Sequence, residues 1–257
     1  MKNSRIPILF NTPPELKKIQ IFGCSDMHNG SAQFNEKAWL NIENLLQVEG
    51  NYIIFAGDQC EYATRSSKSD VYEQRLRPAE QKRWWIKHLE PYKDKIICVI
   101  DGNHEFNRAS KDADDFPLYD IALALGIEDV YRSEGAVVDI GVGDGGHGKG
   151  KQIHYVGRVQ HKAQMLKNYG SSDGWEGIDF FMYGHDHRPS DVPRAKMVYD
   201  TKNKTVAQKN IENIDCGSFL TFGGYGERNG YRAASDKKYS LILDGKKKAI
   251  ETRGFYL

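Results

Sequence analysis

Short apolar runs alternate with amphipathic stretches along this chain. Five runs, Ile19–Gly23, Tyr52–Ala56, Ile96–Ile100, Ile153–Gln160 and Ile178–Tyr183, have the length and the β-branched or aromatic content of buried strands. Between them Asn35–Val48, Tyr72–Tyr92, Leu118–Leu125 and Lys162–Tyr169 read as helices. In the second, Leu76, Trp85, Leu89 and Tyr92 form the expected buried stripe, and Pro78 belongs near a helix start, so that helix begins later than Tyr72. Strands alternating with helices predict an α/β sheet. Val137–Ile140 and Lys196–Tyr199 read as further strands. Ser240–Leu243 and Ala249–Thr252 flank Asp244-Gly245, a pair that tolerates the positive φ of a tight hairpin. One compact domain with a second, more antiparallel sheet fits this pattern better than two separable domains. Gly141–Gly150, Gly170–Gly177 and Gly223–Lys237 are polar and read as loops. With no internal repeat and no low-complexity linker, residues 1–257 are expected to form one domain.

The ends of the five strands carry unusual chemistry. Ser25-Asp26-Met27-His28 follows the first, and Gly57-Asp58-Gln59-Cys60-Glu61 the second. Asp101-Gly102-Asn103-His104-Glu105 follows the third, His161 the fourth, and Gly184-His185-Asp186-His187 the fifth. Open α/β sheets bind ligands outside the carboxyl ends of their strands. Five segments would thus deliver Asp, Asn and His to one edge. Asp26 and His28, two apart on extended backbone, would point the same way, as would His185 and His187. Glycines 57, 102 and 184 allow sharp turns at these junctions. Carboxylate, amide oxygen and imidazole without thiolate suit Mn²⁺, Fe or Zn²⁺. Seven such groups exceed one tetrahedral ion and suffice for two ions sharing a carboxylate.

Composition narrows the setting. Of 257 residues 39% are hydrophobic and 28% charged, which excludes a disordered tail, a collagen-like chain and a disulfide-stapled mini-protein. Lys and Arg number 36 against 35 Asp and Glu. That balance lacks the basic signature of a protein that coats DNA, and leaves nucleic acid as a locally docked substrate. No run approaches the ~20 apolar residues of a membrane span. The start, MKNSRIPILFNTPP, lacks the apolar stretch of a secretory leader. Four scattered cysteines without a CxxC suit reduced thiols, so a cytoplasmic setting is expected.

Taken together and in this order, Asp-x-His, Gly-Asp-x-x-Glu, Gly-Asn-His-Glu, a lone His and Gly-His-x-His resemble the calcineurin-like metallophosphoesterase superfamily. The motifs span Asp26 to His187. The resemblance implies a four-layer αββα sandwich with a dinuclear metal centre. It places Asp26, His28 and His187 on the first metal and Asn103, His161 and His185 on the second, with Asp58 as bridge. His104 matches the family histidine near the leaving group. His161 is taken as the lone histidine, because it follows its strand, whereas His154 lies inside it. A second likeness, to phosphoesterases of phages and prophages, rests on Gly102–Arg108, Ala122–Gly126 and Gly230-Tyr231-Arg232-Ala233. Where the family's protein phosphatases carry Asp-Arg-Gly, this chain has Glu61-Tyr62-Ala63. That departure favours the phosphodiesterase and nuclease branches.

The resemblance further implies hydrolysis by a bridging hydroxide, with Mn²⁺ the favoured ion pair, and with His104 protonating the departing alkoxide. Glu61 or Asp101 is the candidate to orient that imidazole. The leading reading is a phosphodiesterase on a nucleotide or nucleic-acid substrate. Its rivals are a phosphomonoesterase on small metabolites and a non-catalytic interaction scaffold. The substrate rim is expected at Glu105–Phe116, Gly170–Gly177 and Gly223–Lys237. His88, His147 and His154 read as structural histidines, Cys60 as a small buried hydrophobe, and Trp84 and Trp85 as part of an amphipathic helix. Arg108 is open between a substrate phosphate and a surface ion pair.

Overall fold

The computed structural model describes residues 5–67, 71–143, 152–164, 174–223, 227, 228, 230, 233 and 235–257. Thirteen strands occur among them: β1 (Ile8–Asn11), β2 (Lys18–Cys24), β3 (Asn51–Ala56), β4 (Ile96–Ile100), β5 (Tyr131–Arg132), β6 (Ala136–Val142), β7 (Ile153–His161), β8 (Phe180–Gly184), β9 (Ser190–Asp191), β10 (Arg194–Asp200), β11 (Thr205–Asp215), β12 (Lys237–Asp244) and β13 (Ile250–Tyr256). The first sheet has the order β13-β12-β2-β3-β4-β5, and the second β1-β6-β7-β8-β11-β10, with β9 also on β11. Both are mixed. β2 to β5 run parallel, β12 lies antiparallel on β2, and the β7–β8 and β8–β11 pairs are parallel between antiparallel neighbours.

Side-chain alternation explains how the sheets stack. In β3, Tyr52, Ile54 and Ala56 enter the core between the sheets, whereas Ile53 and Phe55 enter the core under the helices. Ile140, Val159, Met182 and Ile214 meet the first set from the second sheet. The helical layer consists of α1 (Glu36–Leu46), α2 (Pro78–Leu89), a π-helix His104–Ser110 that runs into the short α3 (Lys111–Ala113), and α4 (Pro117–Leu125). Asn35 caps α1 by accepting from Ala38 N at 3.0 Å. Pro78 sits in the first turn of α2, where its missing N–H costs nothing. Trp85 is fully buried against Trp39 and Phe55 and donates Nε1–H to Gln59 O at 3.2 Å.

Several expectations need correcting. The buried stripe of α2 is Gln81, Trp85 and Leu89; Leu76 precedes the helix and Tyr92 follows it, both only half-buried. Glu105–Phe116 is no polar rim loop, because most of it is helical and Glu105 is buried. The eleven-residue β11 is absent from the sequence reading, since TVAQKN is polar and largely exposed and shows no apolar alternation. The expected helix Lys162–Tyr169 begins as a 3₁₀ turn, Lys162–Gln164, and its remainder lies outside the described residues. So do His147, most of Gly141–Gly150, the first part of Gly170–Gly177, and much of Gly223–Lys237, including Tyr231 and Arg232.

Candidate metal centre

The carboxyl ends of β2, β3, β4, β7 and β8 deliver the predicted residues to one place, largely through positive-φ backbone. Asp26, His28, Asp58, His185 and His187 all have positive φ, between 48° and 99°. Non-glycine residues in that region are strained, and such strain clusters at functional sites. Asp26 and His28 are therefore not on extended backbone; a left-handed kink at each brings them to the same cluster. At Gly57, with φ +95°, a Cβ would lie 2.7 Å from His161 Cδ2 and 2.8 Å from Gly102 Cα. No larger residue fits where the β3 and β4 loops touch.

Two groups of ligand atoms result, each closely spaced: Asp26, His28 and His187, and Asp58, His161 and His185. His185 and His187 thus serve different groups, contrary to the expectation that they point the same way. Asp26 stands between them. Its Oδ1 lies 3.2 Å from His187 Nε2 and 3.6 Å from His161 Nε2. Its Oδ2 is occupied, accepting from Ser25 Oγ at 2.6 Å and His185 N at 2.8 Å. Asp58 Oδ1 accepts from His104 N at 2.8 Å, which turns Oδ2 toward His161 Nε2 at 3.4 Å. Asn103 heads the π-helix beside Asp58.

The chemistry of unused atoms tests whether cations fit. Asp26 Oδ1, Asn103 Oδ1 and His161 Nε2 are buried polar atoms without a hydrogen-bond partner. Buried polar atoms are nearly always paired, and two of these, Asp26 Oδ1 and His161 Nε2, lie 3.6 Å apart among carboxylates and imidazoles. The donor set suits divalent cations of intermediate softness.

The electrostatics agree. Burial alone would raise Asp26 and Asp58, yet facing histidines hold both well below the carboxylate range: His187 and His161 for Asp26, His161 and His104 for Asp58. Burial would lower His28 and His161, but Glu61 holds the first above the usual value, and Asp58 with Asp26 holds the second well above it. His185 is lowered by burial and by His161.

A third group, His28, Glu61 and His104, lies beside the first. Glu61 Oε2 is 3.2 Å from His28 Nδ1 and 3.6 Å from His104 Nδ1. The Glu61 carbonyl is 2.9 Å from His104 Nδ1. Asp101 does not take this role; it accepts from Tyr131 Oη at 2.7 Å. Burial pushes His104 down to about 4, with Asp58 pulling the other way. Arg108 Nη1 donates to Glu61 Oε1 at 2.7 Å and to Glu61 O at 3.0 Å, so the arginine is drawn into this cluster.

Glu105 is a structural organiser that the sequence reading missed. Its carboxylate accepts from Asp58 N, Cys60 N and Gly102 N at 3.0, 2.9 and 2.9 Å, tying the β3 and β4 loops together. Burial and the adjacent Asp58 raise it to about 8, against the pull of these amides. The available signal was its place directly after the ligand-type pair Asn103-His104. Cys60 is buried with its thiol well above the ordinary value, through desolvation and Glu105. His154 is exposed on β7 beside Asp139 at 2.8 Å, and His88 pairs with Glu43 at 2.7 Å while stacking on Trp84.

The profile of the calcineurin-like phosphoesterases matches residues 19–189, more than half of the chain, and the chain belongs to that family. Two mixed β-sheets with helices are the fold of its members. No curated protein matches the sequence. Among solved structures the chain is similar to the Haemophilus influenzae NAD nucleotidase NadN, with 11% identity and a TM-score of 0.41. The match covers 93% of this chain and 50% of that one, so this chain spans about half the length of that enzyme. Among the described residues no helix is long and apolar enough to cross a membrane.

Proposed function

We propose that the chain is a metal-dependent phosphodiesterase acting on a nucleotide or nucleic-acid substrate. The observation that carries this is the pair of ligand groups around Asp26 and Asp58, with buried Oδ1 and Nε2 atoms left unsatisfied. Asp26, His28 and His187 would hold one divalent cation, and Asn103, His161 and His185 the other. Asp58 completes the second group and is the proposed bridging ligand. The absence of thiolate and the oxygen–imidazole mixture favour Mn²⁺, with Fe or Zn²⁺ as substitutes. When bound, such ions polarise a phosphoryl oxygen and lower the pKa of bound water.

The chain's own groups do the rest. Glu61 takes the Nδ1–H of His28 and so turns its Nε2 toward Asp26, the arrangement by which a carboxylate fixes a ligating imidazole. His104 faces the same space, with its Nε2 3.9 Å from Asp58 Oδ2. Neutral near pH 7 in this arrangement, it accepts or relays a proton more readily than it donates one; its role as general acid requires a protonated form. The diester reading is supported by Glu61-Tyr62-Ala63 in place of the phosphatase Asp-Arg-Gly, and by the engagement of Arg108 with Glu61.

The test is hydrolysis of a chromogenic phosphodiester beside the matching monoester, with Mn²⁺ and after chelation. Diester turnover that needs metal and is abolished in Asp58→Asn is expected. Preferential monoester turnover would overturn the diester assignment, and no turnover by protein shown to hold two metals would overturn both.

A further inference from the structure

β10 and the first half of β11 form a hairpin, with Arg194 opposite Ile211 and Asp200 opposite Thr205. Most of β10 and residues 205–208 are exposed, so the hairpin projects from its sheet. A free two-stranded hairpin is marginally stable in water. Alternation sorts its side chains onto two faces. Arg194, Lys196, Asp200 and Lys209 share one, and this face is tied back to the body: Lys209 pairs with Asp179 at 2.9 Å and Lys196 donates to Trp175 O. Ala195, Met197, Tyr199 and Val206 share the other, with Gln208 and Asn210. That face carries no formal charge, yet Met197, Tyr199 and Val206 are 68%, 55% and 61% exposed. Among the described residues β10 pairs only with β11, so the peptide N–H and C=O groups of its alternate residues face outward along a seven-residue edge. Such an edge is a template for another strand.

We propose that β10 pairs antiparallel with β10 of a second copy of this chain, across a two-fold axis at Met197. Charge and register select this occupant. About that axis all seven residues of each strand are paired. Arg194 faces the partner subunit's Asp200, and Asp200 faces the partner subunit's Arg194, giving two opposite-charge cross-strand pairs. Met197 meets the partner subunit's Met197, and Tyr199 the partner subunit's Ala195, so the two uncharged faces join into one apolar band across four strands. A slip of one residue would set charged-face residues against the apolar face. A slip of two toward Lys196 opposes its two copies, whereas a slip of two toward Val198 still sets Lys196 against the partner subunit's Asp200 but pairs only five residues of each strand instead of seven. The interaction is isologous, as a two-fold requires.

Cysteine placement tests this register directly. The four native cysteines are all buried and give no background. Cα atoms directly opposite in an antiparallel pair lie ~4.5–5.5 Å apart, within the ~4.4–6.8 Å span of a disulfide. Under mild oxidation M197C is expected to give a covalent dimer on a non-reducing gel, and Y199C, which faces Ala195, is not. In sedimentation velocity the unaltered chain is expected to show a sedimentation coefficient that rises with concentration. M197D, which sets two carboxylates together, is expected to stay monomeric with unchanged metal content. No cross-link from M197C, equal cross-linking of both variants, a monomer at every concentration, or a dimer that persists in M197D would each overturn the proposal.

Discussion

Glu105 and Glu61 show how a single carboxylate can organise the groups around the candidate metal centre. Glu105 uses both oxygens on three backbone amides, so an amide side chain cannot replace it: one of its two terminal groups would be a donor facing donors. Glu105→Gln should therefore lower stability by ~1–3 kcal/mol, the usual consequence of leaving buried donors unpaired. Thermal unfolding of the metal-free protein measures it, and an unchanged midpoint would refute the role. Glu61 acts on side chains instead, through His28, His104 and Arg108. Histidines and the arginine hold it below the carboxylate range despite its burial. At the ligands themselves, His161→Ala should reduce bound Mn²⁺ from two equivalents to one, counted by metal analysis after gel filtration. Asp26 Oδ1 and the Asn103 amide, unlike His161, can be screened in the same way with isosteric variants, Asp26→Asn and Asn103→Leu.

The element that steadies these loops is α2. Buried Gln81 accepts from Tyr62 N at 3.0 Å and donates Nε2–H to Leu76 O at 2.8 Å, while Asn29 Nδ2 donates to the Gln81 carbonyl. One glutamine thus grips the loops that follow β2 and β3, whose ends carry Asp26 and Asp58. Gln81→Leu keeps the volume and deletes the side-chain bonds to Tyr62 N and Leu76 O, while the bond from Asn29 to the backbone carbonyl stays. The expected result is ~1–3 kcal/mol of destabilisation, with faster hydrogen exchange at the Tyr62 amide than at core amides of β3. Uniform exchange across both would count against a local role. Trp85, one turn on, supplies packing instead, and Trp85→Ala should cost ~3–5 kcal/mol as a core cavity. The start of α2 was legible from Pro78, because proline's fixed φ suits a first turn. Gln81 in its buried stripe was not, since a polar residue enters a core only where specific partners await it.

Taken as one thermodynamic system, the metal-free fold confines carboxylates and histidines that oppose one another. His28 and His161 are held above the ordinary histidine value, so their contribution to stability is complete below that value and is lost as pH rises through their folded values. Asp26 and Asp58 are depressed, and their contribution is lost only as pH falls through their folded values. Cations must displace the histidine protons before binding. The rise in unfolding temperature caused by Mn²⁺ should therefore be larger at pH ~8 than at pH ~5.5. At a free concentration ~100 times Kd the gain corresponds to ~2.7 kcal/mol per site. Differential scanning fluorimetry with and without chelator at both values checks this, and a larger shift at the acidic value would refute the ligand assignment.

What the amino-acid order determined by itself is local and chemical. β4 was read to the residue, and the residues of the candidate centre that the structure gathers were legible because metal-type side chains recur directly after apolar strands. The family motifs are likewise contiguous in sequence. Tertiary structure alone decided the remainder. It divided His185 from His187 between two groups, placed Asp26 between those groups, and drew Arg108 to Glu61, since each depends on backbone angles and neighbours from distant segments. It also made a strand of the polar Thr205–Asn210, whose pairing with β10 supplies the hydrogen bonds that its own side chains do not announce. Periodicity reports burial, and a projecting hairpin or a buried carboxylate is held by partners rather than by burial pattern.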